Sequence, residues 1–203
     1  ERAQRGRLRE HFQWNVDIIG EPSVAADAEV LAIAIDGLRE LGFTAKDFSA
    51  RVSDRRLLTA LLLVIGVQEE NLGATFGVID KIERLPAEKA EHLLVEEAGL
   101  DKAEIEVLKS LLSSTEIDDV ARAFGDDARV AEELHRFRQY TDMLEAMGLG
   151  DFVELDLRIV RGLAYYTGIV FELFDRKGDL RAICGGGRYD RLLGLVGGDP
   201  QPA

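Results

Sequence analysis

Residues 152–187 read FVELDLRIVRGLAYYTGIVFELFDRKGDLRAICGGG. Phe152–Leu157, Ile169–Phe174 and Leu180–Cys184 are rich in β-branched and aromatic side chains, the composition of strands packed on a core. Lys177-Gly178-Asp179 supplies a turn between the last two, so this end of the chain reads as strands folded back on one another. A glycine triplet, Gly185–Gly187, and a helix-like Tyr189–Leu195 follow. Upstream, from about Gln68 to Met147, every periodic stretch is helical. Asp101 and Glu104 make a capping box before Ile105, Leu108 and Leu112, and Val130, Leu134, Phe137 and Leu144 mark one face of a later helix. Further back, residues 7–19 alternate loosely and end in Val16-Asp17-Ile18-Ile19-Gly20, a strand stopped by glycine. Pro22-Ser23 opens a helix carrying Val30, Leu31, Ile33, Ala34, Leu38 and Leu41, which Gly42 closes. Phe48–Val52 reads as a short strand, and Asp54 caps a second helix running to about Ile65. Strand, helix, strand, long helical block, run of strands: this order predicts an α+β fold with an antiparallel sheet flanked by helices, not an alternating doubly wound one. It divides the chain into a first part of the core (1–67), an all-helical insertion subdomain (68–147) and a second part of the core (148–203).

The bulk numbers narrow the class. A chain of 203 residues with 46% hydrophobic and 31% charged side chains can bury a substantial core. The longest apolar run, Leu57–Val67, is broken by Thr59 and Gly66 and is too short to span a bilayer, so no membrane partner is expected. The first residues carry no signal-peptide pattern. A single cysteine, Cys184, and three scattered histidines, His11, His92 and His135, provide neither a disulfide framework nor a metal-ligand spacing, so no protein-bound metal and a reducing, cytoplasmic setting are expected. The net charge of −13 argues against a nucleic-acid-binding surface over the whole molecule. The acidity is local: Glu69–Met147 holds 9 basic and 20 acidic residues, a net of −11, while the first twenty hold four arginines against three acids, a net of +1. The chain starts in a charged stretch without methionine and stops at Gln201-Pro202-Ala203, which reads as a piece of a longer polypeptide.

Three constellations can carry chemistry. In Arg5-Gly6-Arg7-Leu8-Arg9-Glu10-His11-Phe12-Gln13-Trp14-Asn15-Val16-Asp17, a strand would align Arg7, Arg9, His11, Gln13, Asn15 and Asp17 on one face. Arginine forks suit phosphate oxygens and a carboxylate suits an NH-bearing group; the same pattern also describes an amphipathic strand with a solvated face. In Arg158–Gly168, tyrosines 165 and 166 stand behind Arg161 between two glycines, as pocket hydrogen-bonders or as packing groups. In Cys184-Gly185-Gly186-Gly187-Arg188-Tyr189-Asp190, the triplet either cradles phosphate or forms a floor that leaves room above it. It is not a Walker loop, since no Gly-Lys-Ser/Thr follows. Cys184 lacks a neighbouring histidine and is not read as a nucleophile.

Arg5–Gly20 resembles the second conserved motif of class II aminoacyl-tRNA synthetases in its histidyl form. RGLAYYTGIVFE at 161–172 resembles the signature of histidyl-tRNA synthetases, and ICGGGRYD at 183–190 is similar to the glycine-rich segment that follows it. The resemblance implies a class II catalytic domain that activates histidine with ATP, accompanied by Mg2+, and transfers it to tRNA(His), in a homodimer. It implies that Glu1 touches adenine, Arg7 holds the terminal phosphates, His11 stacks where phenylalanine is more common, and Gln13 lies near the histidine carboxylate. It implies further that Asp17 and Tyr166 bond the imidazole, that Tyr189 and Gly185, Gly186 and Gly187 shape the pocket wall, and that Arg161 replaces a metal ion beside the α-phosphate. Arg161 and Arg7 are thereby the catalytic candidates. Ala164 departs from the aspartate common at that place. The family's motif one, motif three and anticodon-binding domain have no counterpart here, in keeping with a piece of a longer chain.

Two other family members are weighed: the histidine-binding regulatory subunit of ATP phosphoribosyltransferase, and the tRNA-binding synthetase-like domain of a stress-sensing kinase. Arg7, Arg9 and Arg161 together favour the enzyme. The acidic block lies where the family meets the tRNA acceptor arm, so either a basic face built from Arg122, Arg129, Arg136 and Arg138 is hidden in it or it contributes mainly shape.

Overall fold

The computed structural model describes residues 10, 12–160, 165–178, 181–199 and 201–203. Helix α1, Val24–Glu40, begins where Ser23 leaves the extended conformation. It ends at Gly42, whose φ of +92° lets its N–H reach the Arg39 carbonyl at 2.8 Å. The helix is apolar almost all round: Ala28, Leu31 and Ile35 are fully buried, while Val30, Ile33, Ala34 and Leu38 are half-buried on the opposite side. That second face becomes a wall of the cleft described below.

Strand β1, Phe48–Asp54, lies inside the sheet and is buried on both faces, and Asp54 both ends it and caps helix α2, Arg55–Ile65, by accepting from the Arg56 N–H at 2.8 Å. The block from Leu72 to Ala146 is helical: α3 (Leu72–Ile79), α4 (Ala87–Ala98), α5 (Lys102–Leu112), α6 (Ile117–Phe124) and α7 (Ala128–Ala146), with short 3-10 turns between some of them. Asp101 and Glu104 form the reciprocal capping box expected at α5. Helix α7 buries Val130, Leu134, Phe137, Tyr140 and Leu144, at spacings of three and four, against α1 and α2. Its valine, leucine and phenylalanine side chains each contribute about 1.5–3 kcal/mol by leaving water. One apolar cluster therefore runs from Leu31 through Val52 and Leu58 to Phe137 and on to Leu173.

The sheet closes with β2 (Val153–Leu155), β3 (Ile169–Asp175) and β4 (Cys184–Gly187), in the order β2-β1-β3-β4. Antiparallel pairing sets Ala50 opposite Leu173 and Asp54 opposite Ile169, and sets Val170 opposite Gly187. At the other edge β2 runs parallel to β1, with Ala50 beside Val153. A parallel pair needs a crossover, and here the helical block between Asp54 and Val153 is that crossover.

Three local expectations are corrected. Residues 12–19 form no strand: they are mostly exposed and, among the described residues, no neighbouring strand gives their backbone a ladder. Alternating side chains describe one face of a strand, but only backbone pairing makes one. The strand expected over Leu180–Cys184 lies on the glycines instead. A Cβ at Gly186 would sit 2.8 Å from the Phe171 ring, and one at Gly187 2.7 Å from the Ile169 carbonyl. At Gly186 and Gly187 the strand passes too close to its neighbours for a side chain, so the residue type that β-propensity counts against a strand is here required by one. Tyr189 precedes its helix rather than starting it, for α8 covers only Leu192–Leu195.

Candidate functional site

Segment 12–18, the outward face of α1, Tyr165 and Tyr166, strand β4 and Tyr189 enclose a cleft of about 790 Å³. This size falls in the range of small-molecule sites. Each wall has a local cause. The Trp14 indole lies against Gly37 of α1, where a Cβ would make van der Waals contact at 3.4 Å. Gly186 and Gly187 make the floor, with Phe171 and Tyr166 pressed close to their backbone. The triplet is thus the floor weighed above, a paired strand rather than a loop cradling phosphate. Tyr165 packs on Tyr166 at 4.6 Å between ring centroids and meets Tyr189 edge-on at 6.2 Å and 88°.

Polar groups converge on one side of these rings. The Tyr189 hydroxyl donates to the Asp17 carboxylate. Burial, and then the Asp17 charge, push the Tyr189 phenol well above its usual range, so it keeps its proton and donates at neutral pH. Gln13 Nε2 donates to Asn15 Oδ1 at 2.8 Å. A carboxylate with a phenol beside it, walled by aromatic rings, suits a small ring that carries an NH donor.

The expected site residues fall into two groups. Gln13, Asp17, Tyr166, Tyr189, Gly185 and Gly186 all line this one cleft, although they lie up to 176 positions apart in the chain. Glu1, Arg7, His11 and Arg161, named for ATP and catalysis, lie outside the described residues.

Sequence reasoning passed over a charged group in the cleft wall, Asp27 with Arg188. Arg188, only 3% exposed, donates from Nε to both Asp27 carboxylate oxygens at 3.0 and 3.1 Å and from NH1 to Asp190 at 3.1 Å. Asp190 also accepts from the Thr167 hydroxyl at 2.9 Å and from Arg56 at 3.1 Å. Burial pushes the Asp27 carboxyl up and Arg188 pulls it back. Burial also works against the Arg188 charge, but its bonds to Asp27 and Asp190 more than offset that. A signal was present: Asp27 sits between Val24 and Leu31 on the buried stripe of α1, where an acid requires a partner.

Each arginine considered for a basic face in the helical block has a carboxylate beside it. Arg122 pairs with Asp119, Arg129 with Asp127, Arg138 with Asp118, and Arg136 turns inward to Asp54 and Glu133.

A histidyl-tRNA synthetase from Nostoc sp. PCC 7120 has the same fold, with a TM-score of 0.78 at 22% identity over 91% of this chain and 44% of that one. The sheet and its helical crossover are thus arranged as in aminoacyl-tRNA synthetases of the histidyl type. A protein from Bacillus halodurans C, described as an ATP phosphoribosyltransferase regulatory subunit/histidyl-tRNA synthetase, matches with a TM-score of 0.75 at 26% identity over 91% of this chain and 47% of that one. The family model described as histidyl-tRNA synthetase matches residues 1–203. The chloroplastic/mitochondrial histidine–tRNA ligase of Arabidopsis thaliana is 45% identical over the whole of this chain and 41% of its own length. The chain belongs to the histidyl-tRNA synthetase family. It spans a little under half the length of the curated relatives it matches.

Proposed function

We propose that the intact protein is a histidine–tRNA ligase, which forms histidyl-adenylate from histidine and ATP and passes the histidyl group to tRNA(His). The observation that carries this reading is the Tyr189–Asp17 hydrogen bond beside Tyr166, over the glycine floor. Asp17 accepts from one imidazole N–H, Tyr166 answers the other ring nitrogen, Gln13 orients the carboxylate end, and Gly185 and Gly186 leave space for the ring. Glu1, Arg7 and His11 hold ATP, whose phosphates bring Mg2+ with them. The histidine carboxylate attacks the α-phosphorus and pyrophosphate leaves. Arg161, as the cation for the oxygens where charge builds, stabilises that transition state more than the ground state. Catalysis is otherwise the positioning of two bound substrates. Residues 68–147 act as a helical subdomain between two parts of the catalytic core. With its arginines already paired, this subdomain meets the acceptor arm through shape rather than through a free basic face. The intact protein works as a homodimer in a reducing, cytoplasmic setting.

Histidine-dependent ATP–pyrophosphate exchange on the intact protein, beside its Arg161→Ala variant, tests the proposal. The expected result is exchange that needs histidine and falls about 10²–10³-fold in the variant. Histidine binding without any exchange would instead identify a non-catalytic relative.

A further inference from the structure

Asp17, Tyr166 and Tyr189 reach the cleft from three separate segments, and none of the three is held there by a helix or by an interior strand. Residues 12–19 carry no secondary structure, Tyr166 precedes β3, and Tyr189 follows β4. Their mutual placement therefore depends on whatever ties the segments together.

One side chain does so. We infer that Arg188 is a positioning residue for the histidine subsite, its guanidinium tying the segment that carries Asp17 to the one that carries Tyr189 and, through Asp190 and the Thr167 hydroxyl, to the one that carries Tyr166. The inference rests on reading the cleft as the histidine subsite.

Every nitrogen of the guanidinium is engaged. Nε bonds Asp27, NH1 bonds Asp190 and the Glu21 carbonyl, and NH2 bonds the carbonyls of Glu21 and Ser23, at 3.3 and 2.9 Å, and lies 3.0 Å from Asp27. The Glu21 carbonyl lies four residues beyond Asp17, which fixes the exit of that segment onto α1. The Arg188 backbone takes hold of the second segment: its N–H donates to the Ile169 carbonyl and its carbonyl accepts from the Thr167 N–H, both at 2.8 Å. The arginine stem also lies against Gly168, where a Cβ would come within 3.1 Å of Cδ. Tyr166 is adjacent to Thr167, and Tyr189 is adjacent to Arg188 itself. A planar fork with five N–H groups can span two carboxylates and two carbonyls at once; an ammonium, with three donors on one atom, cannot. Arg188 and Asp27 reach the cleft wall, but every guanidinium nitrogen is already bonded to a protein group. Arg188 acts through Asp17, Tyr166 and Tyr189.

A mere staple of the fold would lower stability and leave substrate affinities alone, so the test separates the two. In the intact protein carrying Arg188→Lys, the KM values for histidine and ATP are measured by pyrophosphate exchange, and thermal unfolding is followed in parallel. A displacement of the order of 1 Å at a substrate-orienting group costs up to about 10²-fold. The expected result is a histidine KM raised between about ten- and a hundredfold, with the ATP KM unchanged, in a variant that still melts cooperatively above the assay temperature. An unchanged histidine KM in such a folded variant overturns the inference. Equal rises in both KM values overturn it as well, since they report general loosening. If the Lys chain fails to fold, Asp190→Asn, which leaves Asp27 and both carbonyls in place, carries the same comparison with a smaller shift. Wild-type protein that neither exchanges nor binds histidine in calorimetry sinks the reading of the cleft, and this inference with it. Wild-type exchange with an unmoved variant sinks the inference alone.

Discussion

Arginine–carboxylate pairs in this molecule are either enclosed, as in the cleft wall, or exposed, as along the outside of the helical block. Arg188 is enclosed, and Arg136 points inward to the fully buried Asp54. Arg122 and Arg129 stand 76% and 60% exposed, each bonded to an aspartate two or three positions away. The chemistry of the pair is the same and its consequence is not. An exposed pair exchanges water for a partner at almost no net gain. An enclosed pair has given up its water already, so loss of one member leaves a bare charge in the interior. Only the enclosed kind can therefore hold segments of a chain in place.

The contrast has measurable ends. Arg136→Ala takes from Asp54, between β1 and α2, its charged partner and leaves it the bond from the Arg56 N–H, and it should lower the free energy of unfolding by roughly 3–5 kcal/mol in denaturant titration. A loss no larger than that of a surface arginine would show that water reaches Asp54.

The next effect depends on pH. Burial pushes the Asp54 carboxyl up to about 6 from 3.8, against the pull of Arg136. Between those values the folded chain binds a proton that the unfolded chain has lost. Wild-type stability, measured relative to Asp54→Asn, should therefore be greatest below about pH 4 and decline as pH rises through about 6. The decline should be on the order of 2–3 kcal/mol. A difference that stays flat across that window would mean that Asp54 is not desolvated.

The smallest effect lies on the outside. Arg122→Ala and Arg129→Ala, together, should leave the melting temperature within experimental error at physiological salt, because screening and the entropy of long side chains cancel the attraction. A drop of several degrees would place these pairs with the enclosed ones.

The helical elements were legible before any coordinates because their signals are local. Asp54, Asp101 and the Gly42 stop act within one turn of their helix, and the three- and four-residue spacing in α7 is a property of the helix itself. Strand β4 was not legible, because glycine is chosen there by Phe171 and Ile169 on a neighbouring strand. Segment 12–19 shows the reverse failure: its alternation is real, yet backbone pairing is decided by what lies beside it. The cleft residues Gln13, Asp17, Tyr166, Tyr189, Gly185 and Gly186 were found through their motifs, and the structure brings them to one place. Arg188 stands in the same motif as Tyr189, but its role is not legible there, since its partner Asp27 stands 161 residues away.

By itself the sequence determined the kinds of element, their order, their caps and the family to which the chain belongs, because each of these is encoded by neighbours in the chain or by short motifs. Only the tertiary structure decided that β2 runs parallel to β1, that the glycines are a strand, and which arginines are enclosed. Those are questions of which distant groups lose their water together, and desolvation has no sequence period to read.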